Sequence, residues 1–179
     1  SSYYHYVVEA LPRLMCWIDD GKSKILTDTN SFIEQYLQIL GIGKDRIESE
    51  GTVRVDRLYW PTYRPWLFCG EPPKEPIREL SRRLRKAIGA SYIRDRSAIL
   101  SCRMYINRDI VNHMEVGEEI CNMRCSTLMV QFYQLTVREQ ADFCSKARLL
   151  VGAHGADLTN MIWMQEGSTV VEIFTPDHP

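Results

Sequence analysis

The sequence predicts an α/β fold whose later half is a parallel, Rossmann-like sheet with helices on both faces. Three observations predict it. Beyond Ser97, apolar runs of strand length alternate with stretches of helical period, in the order β-α-β-α-β-α-β. Short strands joined through helices call for parallel pairing by right-handed crossovers. The run Arg148-Leu-Leu-Val-Gly-Ala-His-Gly-Ala-Asp-Leu-Thr-Asn160 reads as a buried strand, a turn of small residues from Gly152 to Gly155, and a new helix. Finally, the prolines at 61, 65, 72, 73 and 76 mark an irregular connector, which divides the chain into lobes at residues 1–74 and 75–179.

Composition bounds the rest. At 179 residues and 45% apolar, the chain is one large domain or two small ones with a real core. A formal charge of −1 leaves no global field to draw nucleic acid or an acidic membrane. No apolar run reaches the roughly 18 residues that a bilayer span needs. No basic-then-apolar leader opens the sequence. It begins directly in a structured stretch and stops just after a strand, which reads as an internal piece of something longer with an incomplete first lobe. The compartment follows the parent: the ER or Golgi lumen for a eukaryote, the cytoplasm for a bacterium or virus. The absence of an Asn-x-Ser/Thr sequon argues mildly against a glycosylated compartment. Cys16, Cys69, Cys102, Cys121, Cys125 and Cys144 read as buried free thiols. Cys121 and Cys125 have no second pair at zinc spacing, and a disulfide stays open for a lumenal parent.

The elements follow in order. Tyr3, Tyr6, Val7, Ala10, Leu11 and Leu14 form a stripe at helical spacing over residues 2–16, and Pro12 should bend or shorten that helix. Residues 24–27 are a short strand. Asp28-Thr-Asn30 is a turn with a helix cap; that segment and Asp19-Asp20 are also carboxylate-rich enough to hold a divalent cation. Residues 31–40 are an amphipathic helix, with Ser31 a candidate cap and Gly41 the stop. Residues 53–59 alternate apolar and polar and predict a strand. Residues 75–88 predict a helix bearing Arg78, Arg82, Arg83, Arg85 and Lys86. This is a solvated face or, less simply, a contact for phosphate or acidic glycan. Strands follow at 98–106, 127–132, 148–151 and 169–174, and helices at 115–123, 136–147 and 156–164. Thr136 and Glu139 form a capping box at the start of the second of these helices.

Ligands of parallel sheets lie beyond the carboxyl ends of the strands, and Asn107, Arg108, Asp109, His154 and Gly155 fall there. Small residues let a ligand approach the backbone, and the free N–H groups of a starting helix favour an anion. His154 is either a structural hydrogen-bonder or a donor to a ligand phosphate. Arg108 either offers a bidentate fork to a diphosphate or pairs with Asp109. Asn160 tethers the turn or touches the ligand, with the local sequence favouring the tether. Glu172, embedded in an apolar strand, either fixes a ribose diol or makes a structural salt bridge. His5 and Glu9 stand at i and i+4 on the first helix, away from its stripe, with Arg13 continuing the face. They are an ordinary exposed pair or a general base with an orienting partner. GxGxxG, GxxxxGK[ST] and GxSxG are all absent, so dinucleotide oxidoreductases, P-loop kinases and elbow-type hydrolases have no fingerprint here.

Four blocks together resemble a known family. They are Tyr4-His-Tyr-Val-Val-Glu-Ala-Leu-Pro-Arg-Leu14, Tyr105-Ile-Asn-Arg108, Val151-Gly-Ala-His-Gly-Ala-Asp-Leu-Thr-Asn160 and Val171-Glu-Ile173. In order and spacing they resemble glycosyltransferase family 61 over nearly the whole chain; the segment Leu135-Thr-Val-Arg-Glu-Gln140 also fits. The resemblance implies an inverting transferase with two Rossmann-like lobes (GT-B architecture). It implies a nucleotide-sugar donor (a UDP-sugar as the first expectation) lying in the cleft, and a glycan or glycoprotein acceptor. It places Arg108, His154, Gly155 and Asn160 on the diphosphate side and Glu172 on the nucleoside side, with Asn107 and Ala156 also among the substrate-binding residues. His5 and Glu9 fall in the first-lobe motif, as candidates for the base that takes the acceptor's proton. Charge stabilisation of the diphosphate can replace a metal, so no ion is expected to be obligatory; a divalent cation beside Asp157 is the minor alternative. Two positions depart from the family pattern. Asn107 replaces a commoner Ser. Asp157 replaces a Gly, and a carboxylate beside a diphosphate repels it unless it turns away or binds a cation. The rival readings are a non-catalytic nucleotide-sugar or glycan binding module of the same fold and an unrelated Rossmann enzyme such as a methyltransferase.

Overall fold

A computed structural model describes residues 3–49, 51–61, 74–90, 97–103 and 109–174. The chain divides into two compact units, residues 1–84 and 85–179.

The first unit opens with a helical segment whose pitch changes twice. An α turn, α1 (Tyr3–His5), loosens into a π turn over Tyr6–Ala10 and tightens into a 3-10 helix over Leu11–Cys16. Pro12 explains the irregularity: it has no N–H to continue an α ladder. The Leu11 N–H just before it reaches back five residues to the Tyr6 carbonyl. Tyr6, Val7 and Leu11 from the apolar stripe are buried. Next come β1 (Ile25–Leu26), α2 (Ser31–Ile39) and β2 (Ile47–Glu48); β1 and β2 pair in parallel, Ile25 with Ile47 and Leu26 with Glu48. This is a small β-α-β unit. The cap of α2 is Asn30 and not Ser31, which is the first helical residue. Asn30 is extended, so its Oδ1 reaches over the first turn and accepts the Ile33 N–H at 3.0 Å. Gly41, at φ +76°, ends the helix as expected.

The strand expected at 53–59 does not form. Those residues carry no ladder, and Val53 and Val55 are 43% and 45% exposed. Alternation alone does not make a strand where no neighbouring strand supplies hydrogen bonds. The partner of β1 is instead the short Ile47–Glu48. The expected Arg-rich helix is α3 (Lys74–Ala87). Its Arg83 forks onto the Asp19 carboxylate and also bonds Glu79 at 2.6 Å, while Arg82 grips Glu79 from the other side. These two arginines serve an ion-pair network.

The second unit is a four-stranded parallel sheet in the order β4-β3-β5-β6. It contains β3 (Ser97–Ser101), α4 (His113–Asn122), β4 (Ser126–Val130), α5 (Val137–Lys146), β5 (Ala147–Ala153), a 3-10 helix (Ala156–Trp163) and β6 (Thr169–Ile173). The Thr136–Glu139 capping box of α5 is present in both directions. On one face Ile120 of α4 packs with Ala98, Leu100, Val151 and Ala153. Right-handed crossovers then send α5 to the other face, where it packs against the 3-10 helix.

Two features of the last helical region depart from expectation. The strand does not stop at Gly152. It runs to Ala153, with Gly152 in register beside Glu172. A Cβ at Gly152 would lie 3.1 Å from both the Ser101 Cβ and the Leu158 Cδ2, so this glycine lets the last helix close onto the sheet. That helix is 3-10 in type. Leu158, Thr159, Asn160, Ile162 and Trp163 are all buried within its eight residues; at three residues per turn they cover all three sides of the helix. The thiols also differ from the all-buried expectation. Cys102 and Cys144 are buried, Cys125 is half-buried, Cys16 and Cys121 are exposed, and Cys69 lies outside the described residues.

Candidate functional site

The chain passes from β3 to β4 on one side and then from β4 to β5 on the other. The sheet therefore has its topological switch point between the carboxyl ends of β3 and β5, the place where open parallel sheets bind ligands. Ser101, Cys102 and Arg103 stand at the end of β3; Ala153, His154 and Gly155 stand at the end of β5.

Gly155 has φ +155° and ψ −174°, a conformation essentially reserved for glycine. A Cβ there would fall 2.5 Å from Nη2 of Arg103. The guanidinium of Arg103 thus lies directly against the turn. Its Nε donates to Asp157 Oδ2 at 3.0 Å, and the Ser101 hydroxyl donates to the same oxygen at 2.9 Å. Arg103 and Asp157 are each only 16% exposed, so the pair is well shielded. Asp157, the departure that would set a carboxylate against an anion, is turned onto an arginine. The Arg103 N–H is in turn held by Asp109 Oδ1, which also accepts from the Ile110 N–H.

His154 and Glu172 form the other half of the site. His154 Nδ1 lies 2.7 Å from Glu172 Oε1, and the imidazole stacks on Phe174 with centroids 5.1 Å apart. The His154 N–H donates to the Ile173 carbonyl at 2.8 Å, carrying the β5–β6 pairing one residue past the strand. Asn160 is buried, and its Nδ2 donates to the Asp157 carbonyl at 3.1 Å, tying the first helical turn. Ala156 opens that turn. Asn107 and Arg108 lie outside the described residues. The structure thus brings together His154, Gly155, Ala156, Asn160 and Glu172. It adds Arg103 and Ser101, which the sequence reading missed. The signal available was the apolar run Ala98-Ile-Leu100, which ends just before them.

In the first unit, His5 Nδ1 lies 3.0 Å from Glu9 Oε1; the His5 side chain is 47% exposed and that of Glu9 15%. The π turn carries Glu9, and π turns often mark functional positions. Arg13 Nε donates to the Glu9 carbonyl at 3.0 Å, holding the same turn. Burial raises the Tyr4 hydroxyl above its usual pKa, with help from the Glu9 charge, and burial pushes Tyr6 to about 12; both stay protonated at neutral pH. His5 and Glu9 line a pocket of about 870 Å3 within this unit, walled by Arg13, Trp17, Lys24 and the segment 53–61. Among the described residues there is no group of three or more His, Cys, Asp or Glu side chains that could hold a metal ion. No described helix is long and apolar enough to cross a membrane.

A four-stranded parallel sheet flanked by helices, with a glycine turn at its switch point, defines a Rossmann-like α/β class of protein. A family model described as Glycosyltransferase 61 matches residues 3–171, and the chain belongs to glycosyltransferase family 61. Its members transfer a sugar, in general from a nucleotide-sugar donor, to an acceptor. A comparison with curated proteins found no match.

Proposed function

We propose that this protein is an inverting glycosyltransferase that moves a sugar from a UDP-sugar to a hydroxyl of a glycan or glycoprotein. The observation that carries the reading is the Arg103–Asp157 pair beneath Gly155, at the switch point of the sheet. It neutralises the one unfavourable charge beside the turn and sets the Arg103 guanidinium against Gly155, as a fixed donor group for a diphosphate. Arg108 and Asn107 would complete the diphosphate side. Gly155 and Ala156 would offer backbone, His154 a ring N–H, and Asn160 would hold the turn's shape. Glu172 would face the nucleoside while orienting His154.

In the reaction, the acceptor oxygen attacks the anomeric carbon from the face opposite the diphosphate. The new C–O bond forms as the bond to the leaving phosphate oxygen breaks, and the configuration inverts. The acceptor proton passes to His5, whose ring Glu9 orients and whose positive charge Glu9 stabilises. The negative charge gathering on the diphosphate is stabilised by fixed donors, which does not demand a metal.

A thermal-shift screen across UDP, GDP and their sugars tests the reading. UDP is expected to stabilise the protein; Arg108→Ala and His154→Ala should remove the shift, while His5→Ala should spare it and lose transfer. Stabilisation by S-adenosylmethionine instead would overturn the proposal. Tight UDP-sugar binding with no turnover, in a full-length parent, would mark a binding module.

A further inference from the structure

Phe174 follows Glu172 by two residues, just past the carboxyl end of β6, and half of its surface is exposed. Residues at i and i+2 of an extended strand share a face, so Phe174 and Glu172 project the same way. His154 joins them from the end of β5. Its Nδ1 lies 2.7 Å from Glu172 Oε1, and its ring lies on that of Phe174 with 22° between the planes. The imidazole is itself 44% exposed. It therefore shields little of the phenyl ring, and an apolar ring left in water is unfavourable. What the imidazole supplies is orientation: it fixes the plane of the phenyl ring.

The charges on either side narrow what this ring would receive. Arg103 and Phe174 stand on opposite sides of β5, since β3 and β6 flank it. The Arg103 guanidinium lies against Gly155, whereas the Phe174 side carries the Glu172 carboxylate. Like charges repel, so an anion is favoured at the turn and disfavoured beside Phe174. A ligand spanning both would set its phosphates at the turn and a neutral, flat group over the ring. A nucleoside diphosphate has that shape. Its ribose offers a diol that a carboxylate accepts, and its base is a neutral plane with a π-face. Two residues of strand span about 6.6 Å, which spaces Glu172 and Phe174 for a ribose and the base attached to it.

We infer that Phe174, held in plane by His154, is the stacking platform for the donor's nucleobase, which lies on the face of the phenyl ring away from the imidazole. The inference rests on the transferase reading for the place of the diphosphate, and adds the residue that holds the base. The test is NMR on the whole chain with UDP. Nuclear Overhauser contacts are expected between the Phe174 ring protons and H5 and H6 of uracil, with both uracil signals shifted upfield. Phe174→Leu keeps the apolar bulk; it should weaken UDP about tenfold, as loss of one base–aromatic stack does, and leave the affinity for inorganic pyrophosphate unchanged. Phe174→Tyr should keep most of the UDP affinity. The side chain is exposed, and circular dichroism checks that the variants fold. Bound UDP with no contact between uracil and Phe174, UDP affinity unchanged in Phe174→Leu, or UDP and pyrophosphate weakened together overturns the inference and leaves the transferase reading standing. Phe174-dependent stacking of a purine nucleotide in preference to UDP supports the platform and removes the uridine preference instead. Binding of no nucleotide overturns both.

Discussion

Arg103 donates through Nε to Asp157 Oδ2 at 3.0 Å, and the Ser101 hydroxyl donates to the same oxygen. The arginine comes from the end of β3 and the aspartate from the first turn after β5, so the bond spans the switch point of the sheet. It also shows what the acidic residue of this turn does: its charge is neutralised by an arginine that, like it, is only 16% exposed.

Removing either partner should therefore be costly. Arg103→Ala is expected to destabilise the second unit by about 1.5–3 kcal/mol, the range for hydrogen bonds to charged groups. It should also abolish UDP binding, because it leaves the Asp157 carboxylate uncompensated beside the diphosphate. Arg103→Ala with Asp157→Ala should lose less stability than the sum of the single changes. Urea unfolding of the four proteins measures this; strict additivity would show that the pair is not coupled.

Gly155→Ala meets two obstacles at once, a backbone conformation that L-residues avoid and the Arg103 guanidinium. The conformational strain alone is about 1–3 kcal/mol. A lower midpoint of thermal unfolding together with lost UDP stabilisation is the expected result. A variant as stable as the parent would mean that the turn is not held as described.

The His154–Glu172 pair separates binding from folding. Both side chains are more than a third exposed, at 44% and 38%. Glu172→Gln should thus change stability by no more than about 1 kcal/mol. UDP affinity should nevertheless fall at least tenfold, read by isothermal titration. Loss of stability with affinity unchanged would reassign the pair to structure alone.

Acid should loosen the first unit in a defined window. Arg82 and Arg83 lower the Glu79 carboxyl from 4.5 to about 2. The folded carboxylate holds its proton less well than the unfolded one, so this contribution is complete above pH 4.5 and disappears as pH falls toward 2. Glu79 is partly solvated, so the contribution is modest, within about 1 kcal/mol. Glu79→Gln should flatten this part of the pH–stability curve; an unchanged slope between those values would contradict it.

Much of the second unit was legible because its signals are local and agree with one another. The Thr136–Glu139 box, the apolar run around Ile99 and the Leu149–Val151 run each specify an element without help from distant residues. Gly41 announced its stop by the same token. What was not legible depends on partners. Residues 53–59 look like a strand until one asks what they pair with. Ile47–Glu48 look like nothing until Ile25 lies beside them. The last helix reads as α, and nothing in its local sequence signals the 3-10 winding found over Ala156–Trp163. The candidate site divides in the same way. His154, Gly155 and Glu172 stand out by type and spacing. Arg103 is one arginine among many until the fold puts it under Gly155.

The central claim is that a nucleoside diphosphate binds at the carboxyl ends of β3 and β5. It is tested most directly by following backbone amide NMR signals while UDP is added. The account predicts saturable shifts at Arg103, Gly155, Ala156 and Asp157, with Glu172 and Ile173 next and the amino ends of the strands silent. Saturable binding whose shifts leave those residues untouched would contradict it.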